Sequence, residues 1–328
     1  MIARGGDPLA EKRKPTTPTF REAAKQVYQV NLPRWRNAKH VATWWQSLER
    51  HVFPLIGNMP VDRIERSDVL QVLTPIWGSK SETARRVRQR IRSVFKWSMA
   101  HGYIAQNVAG EAIDGALPPI PRNKNHLRAL PYQEVGALIT SVRSSRASLA
   151  SRLCLEFVIL TAARSGEARG TTWDEIDTEA REWRVAAARM KANMEHRVPL
   201  SPRAPEIVEE ARAIDDGSGL LFPSPLRHGQ PMSDMTLTKV LRGLGVADRA
   251  TVHGFRSSFR DWAAECTDAP HAVMELSLAH AVGSAVEAAY ARSQLLRRRR
   301  LLMDRWAAYL KSSGDVVTLA RIAANDCR

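Results

Sequence analysis

The sequence is poor in cysteine and has no long apolar segment. Only Cys154, Cys266 and Cys327 occur in 328 residues, far apart and odd in number. This excludes a disulfide scaffold and a cysteine-based zinc module, and it predicts a protein of the reducing cytoplasm. No apolar run is long enough to span a bilayer, and the N-terminal segment lacks a signal-peptide core. We therefore expect neither a membrane partner nor secretion.

Signatures of several enzyme classes are missing too. Gly-rich phosphate loops, the His-Glu-x-x-His motif and the Cys-x-x-Cys motif do not occur, and no carboxylates cluster as a two-metal nuclease would need. We therefore expect no metal and no other cofactor. Cations remain as candidates for phosphate chemistry, because arginine binds nonbridging phosphate oxygens bidentately and stabilises the charge of the transition state.

Positive charge, by contrast, is abundant. Lys and Arg number 49 against 34 Asp and Glu, which gives a net charge of +15 and a pI near 10.3. Residues 1–120 hold 19 basic and 10 acidic side chains, whereas the longer remainder holds 30 and 24, so the N-terminal part is the more basic per residue. This excess predicts a polyanionic partner, for which nucleic acid is the default.

Four prolines between residues 115 and 131 mark a domain boundary, since proline neither continues a helix nor donates to a β-ladder. We expect a basic tail over residues 1–18, a helical domain over 19–115, a linker over 116–131, a second domain over 132–312 and a tail over 313–328. Thr19 with Glu22, Ser67 and Ser81 are expected to cap helices.

Apolar periodicity predicts a mainly helical fold with a small β-sheet in its second half. Two short strands, 183–185 and 196–200, flank a basic loop. The predicted helices span residues 19–30, 37–51, 67–76, 81–101, 131–141, 151–163, 204–213, 233–241, 255–266, 269–277, 284–290 and 295–310.

The predicted helix over 81–101 combines an apolar stripe with a basic surface. The stripe consists of Val87, Ile91, Val94, Phe95 and Ser98 at helical spacing. The remaining surface holds Arg85, Arg86, Arg88, Arg90, Arg92 and Lys96, with no acidic residue between positions 85 and 96. Most charge runs are solvated faces, but such faces usually mix signs, so we interpret this one as a contact to DNA phosphates.

Two motifs in the second half place cations near turns. Arg164 follows an apolar helix, with Glu167 three residues on, and is either a catalytic arginine or half of a capping ion pair. Lys191 lies in the loop between the two strands, where an ordinary turn lysine is the alternative. Neither motif alone decides between these interpretations.

Two further motifs lie near the C-terminus. His253 and Arg256 open a helix, where backbone N–H groups attract an anion, so they form a phosphate site or a cap. His280 is followed ten residues later by Tyr290, and a lone helical tyrosine is usually a packing residue. It is the order of all four motifs that is informative.

The order Arg … Lys … His-x-x-Arg … His … Tyr resembles that of the tyrosine recombinase (phage integrase) family, especially integrases of prophages and genomic islands. The matching stretches are AARSGEARGTTWDEID, RMKANMEHRVPLS, HGFRSSFRDWAAE and LAHAVGSAVEAAYARS. The resemblance extends from about residue 20 to residue 310. It implies a helical core-binding domain that closes on DNA as a clamp, followed by a tyrosine recombinase catalytic domain.

The resemblance also implies a role for each site residue. Arg164 and Arg256 would bind the scissile phosphate, and Lys191 would be the general acid toward the leaving 5′-hydroxyl. The other implied roles are hydrogen bonding to the phosphate and proton transfer by His253 and His280, orientation of the site by Glu167, and nucleophilic attack by Tyr290.

The function implied is site-specific recombination of double-stranded DNA through a 3′-phosphotyrosine, which integrates or excises a mobile element without a metal or ATP. The resemblance further implies a homo-oligomer on DNA, with a tetrameric synapse. Whether excision needs an accessory excision factor as a further partner stays open. Two alternatives stay open: a type IB topoisomerase, and a non-catalytic architectural DNA-binding protein.

The predicted C-terminal helix has two open questions. Its run Arg297-Arg298-Arg299-Arg300 is either a second phosphate contact or a basic helix face. Leu301, Leu302, Trp306 and Leu310 are expected to form an apolar stripe that packs either in cis or on a neighbouring protomer.

Overall fold

The computed structural model of the chain describes residues 17–35, 38–119, 128–282 and 294–325, without the side chains of residues 38, 39, 112 and 315–325. The chain divides into two compact units, Met1–Lys124 and Asn125–Arg328. The domain limits expected from sequence are finer than this division and stay predictions. No helix in the described ranges is long and apolar enough to cross a membrane.

The first unit is helical throughout its described elements. Its helices are α1 (Phe20–Asn31), α2 (Ala38–His51), α3 (Phe53–Ile56), α4 (Arg66–Trp77) and α5 (Ser81–Ala100), with 3₁₀ turns at Leu32–Arg34 and Glu111–Ala116. The predicted cap of α1 is confirmed: the Glu22 amide donates to Thr19 Oγ1 at 3.3 Å, and the Thr19 amide donates to the Glu22 carboxylate at 2.8 Å.

Two other predicted caps are wrong. Ser67 lies inside α4, whose N-cap is Glu65, and the Glu65 amide donates to Asp68 Oδ2 at 2.8 Å. Ser81 is the first helical residue of α5, and its N-cap Lys80 makes no side-chain capping bond. In α4 a carboxylate one turn on accepts from the Glu65 amide, so the helix begins before the serine.

The core of the first unit is built on aromatic rings and on the stripe of α5. Phe20 contacts Phe95 edge-on at 5.6 Å and Phe53 at 6.4 Å between ring centroids. Val87 and Ile91 are fully buried in the same cluster. The predicted stripe is confirmed, because all five of its side chains are buried.

The second unit surrounds a small sheet with helices, which confirms the predicted fold class. Its helices are α6 (Tyr132–Arg143), α7 (Leu149–Thr161), α8 (Ser165–Arg169), α9 (Arg203–Glu210), α10 (Thr236–Gly243), α11 (Phe255–Cys266), α12 (His271–Ser277) and α13 (Leu296–Asn325). The strands are β1 (Ile176–Asp177), β2 (Glu182–Val185), β3 (His196–Pro199), β4 (Pro223–Ser224) and β5 (Arg227–Pro231).

Both sheets are antiparallel. The first has the order β1-β2-β3, and Trp183 opposes Val198 in its register; the second is the hairpin β4-β5. The two predicted strands, now β2 and β3, are confirmed. Trp183 is fully buried and packs against Phe157 of α7, with ring centroids 5.2 Å apart, so the sheet is anchored to the helical core.

The C-terminal helix α13 is longer than predicted. It continues beyond residue 310 to Asn325, and the tail expected at 313–328 begins inside it. Gly314 lies inside the helix, at a position where α13 packs closely on α6. A Cβ on Gly136 would collide with the Leu310 carbonyl oxygen, and one on Gly314 would meet the Gly136 oxygen at 3.1 Å.

The apolar stripe of α13 also differs from the prediction. Leu302, Trp306 and Leu310 are buried within their own unit, whereas Leu301 is 62% exposed and lies on another face. The Trp306 indole donates to the Ile159 carbonyl of α7 at 3.0 Å. These three side chains of the stripe thus pack on their own unit, and the choice between cis packing and packing on a neighbouring protomer stays open.

Candidate active site

Arg164 lies at a sharp turn between two helices. After α7 ends, Ala162 adopts the left-handed conformation (φ 49°), and Arg164 then caps α8. Its backbone amide donates to Glu167 Oε2 at 3.1 Å and its Nη1 donates to Oε1 at 2.8 Å. Glu167 is buried, so it orients both the backbone and the guanidinium of Arg164. The two interpretations of Arg164 are therefore compatible: it forms the capping ion pair with Glu167 and remains the candidate catalytic arginine.

Arg256 lies in the first turn of α11 and is 4% exposed. Its Nη1 donates to the Ala162 carbonyl and its Nη2 to the Leu278 carbonyl, both at 2.6 Å. These carbonyls lie at the C-termini of α7 and α12, where the helix dipoles are negative and stabilise a buried cation. Burial and the nearby Arg164 lower the pKa of Arg256 to about 10, so its guanidinium stays charged at neutral pH.

The backbone before Arg256 is held by close packing. Gly254 is the N-cap of α11, and a Cβ at this position would collide with the carbonyl oxygen of Arg128. The amide of Thr251 donates to the same oxygen at 2.9 Å. A glycine between His253 and Arg256 is therefore required by the approach of the segment at Arg128.

Three helix ends bring the candidate residues together. Arg164 Nη2 reaches the Ala279 carbonyl at 3.4 Å, and Arg256 Nη2 lies 3.0 Å from His280 Nε2. The two arginines and His280 thus meet where α7, α11 and α12 converge. Two guanidinium groups and an imidazole facing one point can bind the nonbridging oxygens of a phosphodiester.

His253 is exposed, as is His280, whereas Arg256 is buried. Partial burial lowers the pKa of His253 below its usual value, and the positive charges of Arg256 and Arg164 lower it further. The ring is therefore mostly neutral at pH 7, and a neutral imidazole can accept a proton or bind a phosphate group through its N–H.

Lys191 is exposed in the turn between the 3₁₀ turn Ala187–Arg189 and β3. Within the described part of the chain it makes no hydrogen bond or ion pair, so the structure does not bring it into contact with the arginines. The base of its loop is attached to the site by Arg189, which pairs with Glu175 and donates to the Glu167 carbonyl. Sequence reasoning missed Arg189, although it lies two residues before the lysine.

Tyr290 and the helix predicted over 284–290 lie outside the described residues. The next described residue, Gln294, is bound to the edge of the sheet. Its Oε1 accepts from the Arg197 amide at 3.1 Å, and its Nε2 donates to the Glu195 carbonyl at 3.0 Å. The chain that follows Tyr290 is thereby attached to the strand β3.

The four-arginine run of α13 divides between two environments. Arg299 is 1% exposed and lies 3.3 Å from Nε2 of His196, whose pKa burial and Arg299 lower to about 3. Arg300 donates to the Arg181 carbonyl at 3.0 Å. Only Arg297 and Arg298 of the run are exposed, so the run is neither a uniform basic face nor a four-residue phosphate contact.

The basic surface of α5 is smaller than predicted. Arg90 is buried and donates to the Thr43 carbonyl at 3.1 Å and to Ser47 Oγ, so its expected surface position is wrong. Arg88 pairs with Asp114, a partner 26 residues away in sequence.

Exposure on α5 is concentrated in three of the six predicted cations. Arg85, Arg86 and Lys96 are exposed. Arg92 is half-buried, and its Nη2 lies 3.8 Å from Glu111 Oε1.

Sequence reasoning also missed Glu275. Its Oε2 lies 2.7 Å from His280 Nδ1, and its Oε1 accepts from Arg260 Nε at 2.6 Å. Its spacing of five from His280 matches no motif used above, and only the turn at the end of α12 joins the two side chains. Among the described residues no group of three or more His, Cys, Asp or Glu side chains could hold a metal ion.

Comparison with known proteins identifies the family. Residues 20–114 match the phage integrase central domain and residues 128–296 match the phage integrase family. This chain belongs to the phage integrase family. It is therefore a tyrosine recombinase, and the family expected from the ordered motifs is confirmed.

Similar proteins include integrases of prophages and phages. Prophage integrase IntA of Escherichia coli strain K12 is 33% identical over 97% of this chain and 78% of its own length. The integrase of enterobacteria phage P4 is 29% identical over 94% of this chain and 74% of its own length.

The fold resembles that of solved integrases. A lambda integrase tetramer bound to a Holliday junction matches with a TM-score of 0.66 and 17% identity, over 85% of this chain and 83% of that chain. The Tn1549 transposon integrase in complex with circular intermediate DNA matches with a TM-score of 0.57 and 13% identity, over 82% and 99%.

Proposed function

We propose that this recombinase cleaves and rejoins double-stranded DNA at specific sites through a 3′-phosphotyrosine at Tyr290, and so integrates or excises a mobile element. The observation that carries the proposal is the convergence of Arg164, Arg256 and His280 at three helix ends. The integrases of prophages and phages among the similar proteins support the same conclusion.

The arginines would bind the two nonbridging oxygens of the scissile phosphate. Arg256 is already oriented by two backbone carbonyls and Arg164 by Glu167, so little reorganisation is needed when DNA binds. Prealigned cations in a partly buried site stabilise the charge that develops in the transition state. His253 and His280 would complete this phosphate site and assist proton transfer.

Cleavage also needs an activated nucleophile and an acid. A phenol has a pKa of about 10, so Tyr290 needs cationic surroundings or a base to attack at neutral pH. Lys191, exposed and without an ion pair among the described residues, would protonate the leaving 5′-oxygen, which departs as the 5′-hydroxyl. The phosphotyrosine keeps the energy of the phosphodiester bond, so rejoining requires no ATP.

The first unit would bind DNA through its backbone phosphates. Exposed cations of α5, above all Lys96, would supply these contacts, whereas the buried Arg90 would not. We assign core binding to residues 19–115 and catalysis to residues 132–312. Assembly as a tetramer on DNA is supported by the lambda integrase tetramer on a Holliday junction.

Trapping of the covalent intermediate tests the proposal. The substrate is a nicked duplex with the attachment site, sought as a direct repeat in the DNA that flanks the gene. It should yield a protein–DNA adduct with the unaltered chain and none with Tyr290→Phe. Tyr103→Phe is the matched control, because the Tyr103 ring only stacks beside Trp97 and His101 in the first unit. An adduct with Tyr290→Phe would refute the assignment of the nucleophile.

The same preparation separates the alternatives. Relaxation of plasmids without the repeat, and without recombinant products, would indicate a topoisomerase. Tight binding to the repeat without any cleavage would indicate an architectural protein.

A further inference from the structure

We infer that Glu275 is a positioning residue that holds His280 in one tautomer and one orientation for the phosphate site. The catalytic part of this inference rests on the proposed function. The contacts between Glu275 and His280 are independent of that function. Glu275 Oε2 lies 2.7 Å from His280 Nδ1, on the side of the ring opposite Arg256.

The backbone brings these two side chains together through a Schellman motif at the end of α12. The His280 amide donates to the Glu275 carbonyl at 3.0 Å, and the Ala279 amide donates to the Leu276 carbonyl at 3.1 Å. Ala279 between them has a left-handed φ of 51°. In this motif the two outer residues regularly touch, usually through apolar side chains; here they are a carboxylate and an imidazole.

The chemistry of its partners decides where His280 carries its proton. The pKa of the Glu275 carboxyl is lowered: its burial alone would raise it, but hydrogen bonds from Arg260 and His280 outweigh burial. Glu275 is therefore ionised at neutral pH and can only accept. Since Arg256 can only donate, Nδ1 of His280 must bear the hydrogen and Nε2 must present its lone pair to Arg256.

A second contact holds the carboxylate itself in place. Arg260 lies one helical turn after Arg256 on α11, and its Nε donates to Glu275 Oε1 at 2.6 Å. One helix thus supplies both cations: Arg256 faces Nε2 of His280, and Arg260 faces the carboxylate behind it. Besides Arg260, the imidazole of His271 lies 3.7 Å from Oε1.

The geometry matches the way a carboxylate orients a histidine in other enzymes. There, a buried carboxylate at Nδ1 leaves Nε2 free for the reacting group, and its loss allows the wrong tautomer. In this chain Nε2 faces Arg256, while Arg164 Nη2 reaches the carbonyl of the preceding residue, Ala279. Among the described residues the Glu275 carboxylate makes no hydrogen bond to Arg164 or Arg256, so its hydrogen-bonded contact with the phosphate site is His280.

A double-mutant cycle measures whether Glu275 acts through His280. Glu275→Gln keeps the size of the side chain and removes its charge. It should slow single-turnover cleavage of the nicked substrate about ten- to a hundredfold, as for loss of one charge-assisted hydrogen bond. In the His280→Ala background the same change should cost less than about twofold. Equal losses in both backgrounds would refute the inference.

The tautomer gives a readout that does not depend on activity. In the full chain with ¹⁵N-labelled histidine, the nitrogen shifts of His280 should show hydrogen on Nδ1, and Glu275→Ala should shift this population toward Nε2. An unchanged tautomer would overturn the inference even if cleavage slowed. If the Ala variant does not fold, Glu275→Gln supplies the same comparison, because a neutral amide can also donate and no longer enforces one tautomer.

Controls separate this inference from the proposed function. Glu134→Gln removes an exposed ion pair with Arg249 in the same unit and should leave both cleavage and the His280 tautomer unchanged. If the unaltered chain forms no adduct through Tyr290, the proposed function fails, whereas the tautomer measurement still decides the role of Glu275.

Discussion

Arginines of the first and second units are alike in the sequence but differ in what surrounds them. On α5, Arg86 is exposed and pairs with Glu82 one turn away. In the second unit, Arg256 is buried and donates to two carbonyls at helix C-termini. A surface pair such as the first contributes little to stability, whereas a buried cation with directed partners is held in one geometry.

Arg90 shows that burial alone does not make an arginine part of a site. It is 8% exposed, close to the value for Arg256, but its partners lie within α2 of the first unit. Arg90 makes no hydrogen bond to a histidine among the described residues, whereas Arg256 Nη2 lies 3.0 Å from His280 Nε2. The difference teaches that the partners of a guanidinium, more than its charge or burial, indicate its role.

The largest effect on DNA cleavage is expected from substitution of Arg256 in the second unit. Arg256→Lys keeps the charge but replaces a planar fork with a single ammonium, which cannot reach Ala162, Leu278 and His280 together. Single-turnover cleavage should fall about 10²- to 10³-fold, as for loss of a prealigned donor. Arg249→Lys, at an exposed pair with Glu134, is the control. If Arg256→Lys cleaved DNA at a rate within about threefold of that of the unaltered chain, the buried Arg256 would not differ in role from the exposed arginines.

A change in stability rather than cleavage is expected at Arg90. Arg90→Met removes the hydrogen bonds to Thr43 and Ser47 and should lower the free energy of unfolding by about 1–2 kcal/mol, measured by urea titration of the protein. Arg86→Met, which breaks only an exposed pair, should change it by less than about 0.5 kcal/mol. Equal effects of the two substitutions would mean that burial does not distinguish these arginines.

The smallest effect is expected at the exposed face of α5. Lys96→Ala should weaken DNA binding a few-fold and reduce the slope of log K against log salt by about 0.9, the value for one phosphate contact. Arg90→Met should leave this slope unchanged in the folded protein. Titrations of a labelled duplex between about 50 and 200 mM salt measure both. A slope reduced by Arg90→Met but not by Lys96→Ala would reverse the assignment.

Local patterns predicted much of the fold. The stripe of α5, the cap of α1, the helix α11 and the pair β2-β3 follow from spacing over a few residues, and the structure confirms them. The burial of Arg90 also had a signal, since it lies three residues after Val87 and four before Val94 and so borders the stripe. The length of α13 had no such local signal in the sequence. Gly314 lies inside this helix and packs against Gly136, which is distant in the sequence.

The site was only partly predictable. The order of Arg164, Lys191, His253-x-x-Arg256 and His280 indicated the family, but it did not indicate Glu275 or Arg189. Glu275 contacts His280 across a helix-terminal turn and Arg189 contacts the Glu167 carbonyl, and such contacts leave no spacing that a sequence motif records. The roles of the site residues stay predictions until the adduct and the variants are measured.

The sequence by itself determined the residue types, their order and the helical periods, because these depend on neighbours within one or two turns. It also determined the excess of positive charge, and with it the expectation of a nucleic acid partner. Only the tertiary structure decided which cation faces a carboxylate, a carbonyl or open solvent. Arg256 meets a carbonyl 94 residues away and Arg164 one 115 residues away. Hydrogen bonds act only over about 3 Å, so such pairings exist only once three helix ends have packed together.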